Sequence, residues 1–294
     1  MSSFSTTVSE QRFTTSVGEL SVRSWATGAA VPTGRILALH GWLDNAASFD
    51  RLAPLLAAAG FQVSALDLPG HGHSDWLAGG NYYIWEPVAA VVEVARQLEG
   101  PVHLLGHSMG AATALLTAAA YPELARSVVA LDALGPLTTP AEQLVSQLRK
   151  GVDDTLRRQQ QPGRSKCYRS EEQAIQARVG KDPLLTAECI APVVRRNLRQ
   201  TTQGWCWRSD PRLRGVSKVR LTEPQVAAVL QAVQCPVQVV RARQGIIPQA
   251  MFDLRLPHLQ DGRFIALPGH HHFHLQTDCC GALGQTLIHF YQDN

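Results

Sequence analysis

The chain has 294 residues and a net charge of +3 at pH 7, about twice the ~150 residues typical of one domain. Its hydrophobic fraction of 45% and charged fraction of 17% are those of a globular protein, which excludes a disordered, collagen-like or coiled-coil chain. The mild charge also disfavours nucleic acid as a partner, because nucleic-acid-binding domains carry a clustered, strongly basic surface.

The apolar runs and the cysteines predict a cytoplasmic protein without a membrane span. The longest runs, such as Pro87–Ala95, are too short to cross a bilayer. Residues 1–13 lack the basic region and apolar stretch of a secretory signal. No CxxC spacing or repeating framework is present, so we expect reduced thiols at all six cysteines: Cys167, Cys189, Cys206, Cys235, Cys279 and Cys280.

Short β-branched or apolar runs alternate with longer amphipathic runs, which predicts a mostly parallel sheet covered by helices on both faces. In chain order we expect a hairpin at Gln11–Ser16 and Glu19–Trp25, strand Arg35–His40, helix Ser48–Ala59, strand Phe61–Asp67, helix Tyr83–Leu98, strand Val102–Gly106, helix Met109–Ala120 and strand Ser127–Ala133. After a long interruption we expect strands Pro236–Ala242 and Arg263–Pro268 and a terminal helix Gly281–Tyr291.

The interruption, from Gly135 to Gln234, is polar and helical in pattern, with no convincing strand. It is too long for a loop. We therefore predict a core formed by residues 1–135 and 235–294, with residues 136–234 inserted as a helical cap. This cap segment holds 17 Lys and Arg against 9 Asp and Glu, a net charge of +8. A solvated basic surface is the simpler interpretation, and steering of an anionic substrate is the alternative.

One strand runs directly into the pattern G-x-S-x-G and then into an alanine-rich helix, at residues 102–120. In that context Ser108 is a candidate nucleophile on a cramped turn, where Gly106 and Gly110 supply the required lack of bulk. The start of the following helix offers N–H groups and a positive dipole end to a developing oxyanion.

The pair His40-Gly41 ends an earlier strand of the same predicted sheet. Tetrahedral intermediates of acyl transfer need two N–H donors, so the amides of Trp42 and Met109 are the candidates for an oxyanion hole. His40 is a candidate for substrate contact.

Two histidine-rich segments invite interpretation as metal sites. In residues 67–74, His71 and His73 have no third ligand at local spacing, and the Pro/Gly framework favours a rigid turn. In residues 267–275 three histidines are consecutive, so their side chains diverge. The second segment follows a strand near the C-terminus, where the order Ser, acid, His requires the general base. We expect no metal.

Together, HGWLDN, LDLPGHGHSD, GHSMG and PGHHHFHL resemble the α/β-hydrolases, from about residue 10 to the end of the chain. The cap stretches YRSEEQAIQARVG, GWCWRSDPRLRG and LTEPQ resemble the serine hydrolase-like subgroup. The resemblance implies an α/β-hydrolase sheet, Ser108 as nucleophile, the Trp42 and Met109 amides as oxyanion hole, and no metal or organic cofactor. It selects His271 as the base, with His272 as the alternative.

The chain departs from the family at the acid. Many members carry the catalytic Asp just after the strand that corresponds here to residues 237–242, where this chain has Gly245 and no acid. Asp253 lies eight residues further on, inside the next predicted helix. Asp132 ends the neighbouring strand, where some α/β-hydrolases place the acid. We predict Asp132, and the alternative is a structural Asp that caps the turn.

These residues predict a serine hydrolase that transfers an acyl group to water, with a small-molecule carboxylic ester as the first candidate substrate. Hydrolysis of a C–C, thioester or lactone bond is the close alternative. A slow-turnover ligand receptor or interaction protein is the alternative from another class. The large apolar side chains of Trp205 and Trp207 are further candidates for substrate contact.

Overall fold

The computed structural model describes residues 6–27, 31–160, 166–180 and 184–294. The strands are β1 Thr7–Thr15, β2 Gly18–Ala26, β3 Gly34–Leu39, β4 Phe61–Leu66, β5 Val102–His107, β6 Ala125–Leu131, β7 Cys167–Tyr168, β8 Leu198–Thr201, β9 Gly204–Trp207, β10 Val237–Gln244 and β11 Gly262–His270. The α-helices are α1 Ala53–Ala58, α2 Pro87–Gln97, α3 Met109–Ala120, α4 Leu144–Gln160, α5 Glu171–Val179, α6 Ala187–Arg196, α7 Glu223–Ala232, α8 Gln249–Arg255 and α9 Thr277–Gln292.

Eight strands form one sheet in the order β1-β2-β4-β3-β5-β6-β10-β11. The six strands from β4 to β11 in that order are parallel, and the opening hairpin β1–β2 joins them antiparallel. The predicted mostly parallel sheet is therefore confirmed. Since the strands are parallel, their carboxyl ends lie along one edge, where ligands bind in open α/β sheets.

Helices cover both faces of the sheet, as predicted. Side chains alternate along each strand, so Leu37 and Leu39 of β3 pack in a cluster that also contains residues of α2, α3 and α7. Ile36 and Ala38 of the same strand pack in a second cluster, with residues of α1 and α9. Because both faces of the sheet are covered by helices, side chains on both sides of these central strands are buried, and the strands are almost continuously apolar.

Two helices begin later in the structure than predicted, and a proline lies in the first turn of each. The predicted helix at residues 48–59 divides into a 3₁₀ turn at Ala46–Phe49 and α1, which has Pro54 in its first turn. Helix α2 begins only at Pro87. Proline is favoured at the first helical position because its missing N–H would have no partner there. None of the helices within the described ranges combines the length and apolar character needed to cross a bilayer.

The expectation of no strand in the cap segment is wrong. Strands β7, β8 and β9 form a small antiparallel sheet in the order β7-β9-β8. These strands have two to four residues each, too short to show a period-2 pattern. The boundaries at residues 136 and 234 stay a prediction.

The expectation of six reduced thiols is also wrong. Cys167 and Cys206 form a disulfide, because the register of β7 with β9 places them directly opposite each other, with their Cα atoms 4.1 Å apart. The other four cysteines are free thiols.

A buried ion pair fastens the cap segment to the core. Arg196, at the end of α6, donates from Nε and Nη2 to the carboxylate of Asp67, at 2.8 to 3.1 Å. Asp67 follows β4 and also accepts the amide hydrogens of Ala46 and His73, each at 2.7 Å. One carboxylate thus holds the rigid turn after β4 and the cap helix together, since charge-assisted bonds of this kind are the stronger ones.

Helix α3 crosses β3 so closely that Gly110 cannot carry a side chain. A Cβ atom at Gly110 would lie 2.0 Å from the carbonyl oxygen of Leu39. We expect Gly110→Ala to lower the melting temperature strongly, because overpacking costs about 1–3 kcal/mol even where the neighbours can move, and here the neighbour is backbone. Gly281→Ala in α9 is the matched control, since a Cβ there meets no atom within 4 Å. Equal melting temperatures for the two variants would contradict the prediction.

Candidate active site

The predicted site residues follow the carboxyl ends of four different strands. Trp42 follows β3, Ser108 follows β5, Asp132 follows β6 and His271 follows β11. Strands β3, β5 and β6 are neighbours, and β11 lies one strand beyond, on the far side of β10. The topology therefore brings together residues that lie up to 229 positions apart in the chain.

Ser108 occupies a strained turn between β5 and α3. Its backbone has φ 52° and ψ −113°, which lies outside the regions that non-glycine residues favour. The amide of Ser108 donates to the carbonyl oxygen of Leu131 at 2.9 Å, which holds the turn against the end of β6. Such strain persists only where the surrounding structure imposes it, and it concentrates at functional sites.

The His271 ring contacts the Asp132 carboxylate. His271 Nδ1 donates to Asp132 Oδ2 at 2.6 Å, and Asp132 is fully buried. The second carboxylate oxygen accepts the amide hydrogen of Ala242 in β10 at 3.0 Å. Asp132 has a positive φ of 47°. Nε2 of His271 has no partner among the described residues, so it is the nitrogen that can exchange a proton with a nucleophile.

The Asp132 carboxylate fills the space that a side chain at residue 245 would need. A Cβ atom built on Gly245 would lie 2.4 Å from both carboxylate oxygens of Asp132. Gly245 follows β10, which lies between β6 and β11, so an acid on either β6 or β10 can reach the loop after β11. Asp253 lies within α8, as predicted, where its carboxylate accepts from the side chain of Gln249.

The backbone of His271 is anchored beside the turn that carries Ser108. His107, the residue before Ser108, donates from Nε2 to the carbonyl oxygen of His271 at 2.9 Å. The hydroxyl of Ser108 and the ring of His271, both within the described residues, are not hydrogen-bonded to each other. Catalytic hydrogen bonds are often long in the free enzyme and tighten when substrate binds.

The two amides predicted for the oxyanion hole are available as donors. In the described structure, neither the Trp42 amide nor the Met109 amide has a hydrogen-bond acceptor. Met109 is the first residue of α3, so its N–H is one of those that a helix leaves unpaired at its start. The indole Nε1 of Trp42 donates to the carbonyl oxygen of Leu213 in the cap segment at 3.1 Å.

The His40 ring connects two loops rather than facing a ligand. Its Nδ1 donates to the carbonyl oxygen of Gly41 at 2.8 Å, and its Nε2 accepts the amide hydrogen of Leu68 at 3.0 Å. The side chain is fully buried, and burial lowers the pKa of the ring. Both nitrogens are occupied, which argues against the predicted substrate contact.

Comparisons with known proteins identify the family of the chain. A model of the alpha/beta hydrolase fold family matches residues 34–171. A serine hydrolase-like protein of Danio rerio is 30% identical over 92% of this chain and 84% of its own length. A serine hydrolase-like protein of Dictyostelium discoideum is 29% identical over 92% of this chain and 78% of its own. The chain belongs to the serine hydrolase-like group of the α/β-hydrolases.

A solved structure extends the agreement to the whole fold. The crystal structure of a hypothetical protein from Pseudomonas aeruginosa PAO1 has a TM-score of 0.87 and 35% sequence identity, and the match covers 96% of this chain and 99% of that one. The family match and the observed sheet confirm the predicted fold class, an α/β-hydrolase sheet with helices on both faces.

A second polar cluster, which no motif of the sequence had predicted, lies beside the His271–Asp132 pair. Its centre is Asp44, which is 1% exposed. Asp44 Oδ2 lies 3.4 Å from Nε2 of His272, and its Oδ1 accepts from Arg178 of α5 at 3.3 Å. Burial alone would raise the pKa of Asp44, but the charges of His272 and Arg178 hold this pKa well below 3.8. Asp44 lies in the motif HGWLDN and Arg178 in YRSEEQAIQARVG. Both motifs carried the family resemblance, but neither residue had been given a role.

The consecutive histidines point to different partners, as expected. His271 contacts Asp132, whereas His272 contacts Asp44 through its ring and His270 through its backbone amide. This arrangement favours His271 over His272 as the partner of Asp132. Within the described ranges, no three His, Cys, Asp or Glu side chains are grouped so that they could hold a metal ion.

Trp205 and Trp207 pack on the cap's own apolar cluster. That cluster contains Ile190 and Val194 of α6, and it also includes Leu275, from the core segment that follows the histidines. The cluster on which the two tryptophans pack therefore contains residues of both the cap segment and the core. Their predicted role in substrate contact stays a prediction.

We expect the buried His274 to make folding stability depend on pH. Its ring is fully buried, neither nitrogen has a hydrogen bond in the described structure, and burial followed by the charge of His272 lowers its pKa from 6.5 to about 3. The unfolded chain takes up a proton that the folded chain cannot, so this contribution to stability is lost as the pH falls from 6.5 towards 3. The slope from one histidine is at most about 1.4 kcal/mol per pH unit.

Denaturation midpoints measured across this pH range test the expectation. His274→Leu should flatten the pH dependence, because the substituted side chain takes up no proton in either state. His289→Gln is the control, since the His289 side chain is 83% exposed and its substitution should leave the slope unchanged. Parallel slopes in wild type and His274→Leu would contradict the prediction.

Proposed function

We propose that this serine hydrolase-like protein is a carboxylesterase that uses Ser108, His271 and Asp132 as a catalytic triad. The observation that carries the proposal is the 2.6 Å contact between His271 Nδ1 and the buried Asp132 carboxylate, beside the strained turn of Ser108. A carboxylate on Nδ1 sets the tautomer in which Nε2 can accept a proton, and it stabilises the imidazolium that forms.

The reaction proceeds by acyl transfer to the serine and then to water. His271 Nε2 takes the proton of the Ser108 hydroxyl as its oxygen attacks the ester carbonyl. The amides of Trp42 and Met109 stabilise the resulting oxyanion. Collapse of the tetrahedral intermediate expels the alcohol, which receives the proton from His271 and leaves an acyl-serine. Water, deprotonated by His271, then attacks the acyl-serine. The acyl–oxygen bond breaks, His271 returns the proton to the Ser108 oxygen, and the carboxylic acid leaves.

Labelling with a fluorophosphonate probe, together with a panel of aryl esters, tests the nucleophile. Wild type should be labelled and should hydrolyse esters, whereas Ser108→Ala should lose labelling and reduce kcat by several orders of magnitude, as removal of a triad member does. Thr113→Ala, a hydroxyl within α3, is the control and should still be labelled. Persistent labelling of Ser108→Ala would reject Ser108, and undetectable ester turnover in a labelled wild type would favour the receptor alternative.

Substitutions of the acid test the remainder of the triad. We expect Asp132→Asn to fold and to lose several orders of magnitude in kcat, because the wrong histidine tautomer is then stabilised. Asp253→Asn should remain active. Full activity in Asp132→Asn would reject the proposed acid.

A relocation of the acid gives a gain-of-function test of the same assignment. Asp132→Gly empties the space beside Gly245 and accommodates the positive φ at residue 132. Adding Gly245→Asp to Asp132→Gly should restore part of the lost kcat, because a side chain at residue 245 points into the space that the Asp132 carboxylate occupied. No recovery in a double variant that folds would show that residue 245 cannot supply the acid.

A further inference from the structure

The Trp42 amide lies inside a four-residue turn, residues 41–44. The amide of Asp44 donates to the carbonyl oxygen of Gly41 at 3.1 Å, and Leu43 has a positive φ of 63°. The Gly41 carbonyl and the Trp42 N–H belong to one planar trans peptide group, so they point in opposite directions. Whatever fixes the direction of the Gly41 carbonyl therefore also fixes the direction of this candidate oxyanion donor.

The Asp44 carboxylate lies close to the same peptide group. A Cβ atom built on Gly41 would lie 3.2 Å from Oδ2 of Asp44 and 2.9 Å from Nδ1 of His107. The same two atoms of Asp44 and His107 are 3.9 Å apart, and His107 is the residue before Ser108. The carboxylate thus adjoins both the turn that carries the Trp42 amide and the turn that carries Ser108.

Two side chains hold the Asp44 carboxylate, and one of them belongs to the cap segment. Arg178 of α5 donates to Oδ1 at 3.3 Å, and Nε2 of His272 lies 3.4 Å from Oδ2. A buried carboxylate that loses one such partner remains desolvated, so it must shift its position or take up a proton. Either change acts on the turn, because Asp44 is its last residue.

The cap segment also contacts this turn at a second point. The Trp42 indole donates to the carbonyl oxygen of Leu213 at 3.1 Å. The Arg196–Asp67 pair already fastens the cap segment to the core at another loop. Two further cap contacts on either side of one candidate oxyanion donor therefore favour a role in the site over attachment alone.

The turn has a further hydrogen bond that does not involve the Asp44 carboxylate. Nδ1 of His40 donates to the same Gly41 carbonyl at 2.8 Å. Loss of the carboxylate should therefore misalign the Trp42 amide without unfolding the turn.

We propose that Asp44 and Arg178 are positioning residues for the oxyanion hole. Arg178 and His272 hold the Asp44 carboxylate in place, and the carboxylate holds residues 41–44 so that the Trp42 N–H points at the developing oxyanion. The cap segment in this way completes the oxyanion hole of the core. The inference rests on the proposed esterase activity, because it assigns a role within the same site.

Paired oxo-ester and thiono-ester substrates test the inference. Sulfur is a weak hydrogen-bond acceptor, so aligned N–H donors favour a carbonyl oxygen over a thiocarbonyl sulfur at the reacting carbon. The ratio of the two kcat/KM values therefore reports on the donors. This ratio does not depend on the concentration of folded enzyme, so a partly unfolded variant still gives a valid result.

Asp44→Asn should lower the oxo-to-thiono ratio by at least about tenfold, a part of the 10²–10³ that one oxyanion donor contributes to kcat. The loss should fall on kcat and leave KM nearly unchanged, because the amide acts in the transition state. Arg178→Gln should lower the ratio in the same direction, and Arg178→Lys should restore part of it, because the positive charge is kept. Adding Arg178→Gln to Asp44→Asn should cause little further loss, since both act through one carboxylate.

Glu188→Gln is the matched control. Glu188 of α6 pairs with Arg51 of the core at 2.7 Å, so this variant removes an ion pair between the cap segment and the core that does not involve residues 41–44. Its oxo-to-thiono ratio should equal that of wild type. An equal loss in Glu188→Gln and Arg178→Gln would overturn the proposal, because general attachment of the cap segment would then explain both.

The outcomes separate this inference from the proposed function. An unchanged ratio in Asp44→Asn, or in Arg178→Gln if Asp44→Asn does not fold, would overturn the positioning role and leave the esterase proposal standing. If wild type lacks ester turnover but is labelled by a fluorophosphonate, the labelling rate replaces the ratio, because the phosphoryl oxygen uses the same donors; equal rates in wild type and Arg178→Gln would then overturn the positioning role. A wild type without turnover and without labelling would reject the proposed function and this inference together.

Discussion

The carboxylate of Asp132 is the interaction on which the candidate site depends, because it ties three strands of the sheet together at their carboxyl ends. It follows β6, accepts an amide hydrogen from Ala242 in β10 and contacts His271 after β11. A fully buried carboxylate is costly unless it is hydrogen-bonded, and here both oxygens have partners. The same carboxylate occupies the space beside Gly245, so the chain has room for one acid between β6 and β11.

A second buried carboxylate, Asp44, gives His272 a partner different from that of its neighbour His271. His271 and His272 are adjacent in the chain, yet each faces a different buried acid. Arg178, from the cap segment, reaches the same acid as His272. The cap segment is thus linked electrostatically to the loops around Ser108. A buried charged cluster of this kind is sensitive to the loss of one partner, because the others remain desolvated.

The cap segment is held to the core by a buried ion pair, whereas its helix α4 leaves apolar side chains exposed. Arg196 is bound to Asp67 by several charge-assisted bonds in a buried position, which holds α6 to the core. Helix α4, in contrast, meets the rest of the chain through polar contacts and leaves its apolar side exposed.

The sequence by itself determined the parallel sheet, the helices on its two faces and the position of Ser108, because these depend on local periodicity and on a local turn motif. The sequence also indicated Asp132 as the candidate acid, because Gly245 lies at the strand end where many α/β-hydrolases carry the catalytic Asp. Tertiary structure alone decided the pairing of Asp44 with His272 and Arg178, and the disulfide between Cys167 and Cys206, because these contacts join residues far apart in the chain. The strands β7–β9 were too short to leave a pattern. The apolar period of α4 predicts a helix buried against a core, and only the packing of its polar side against residues 214–218 reverses that orientation.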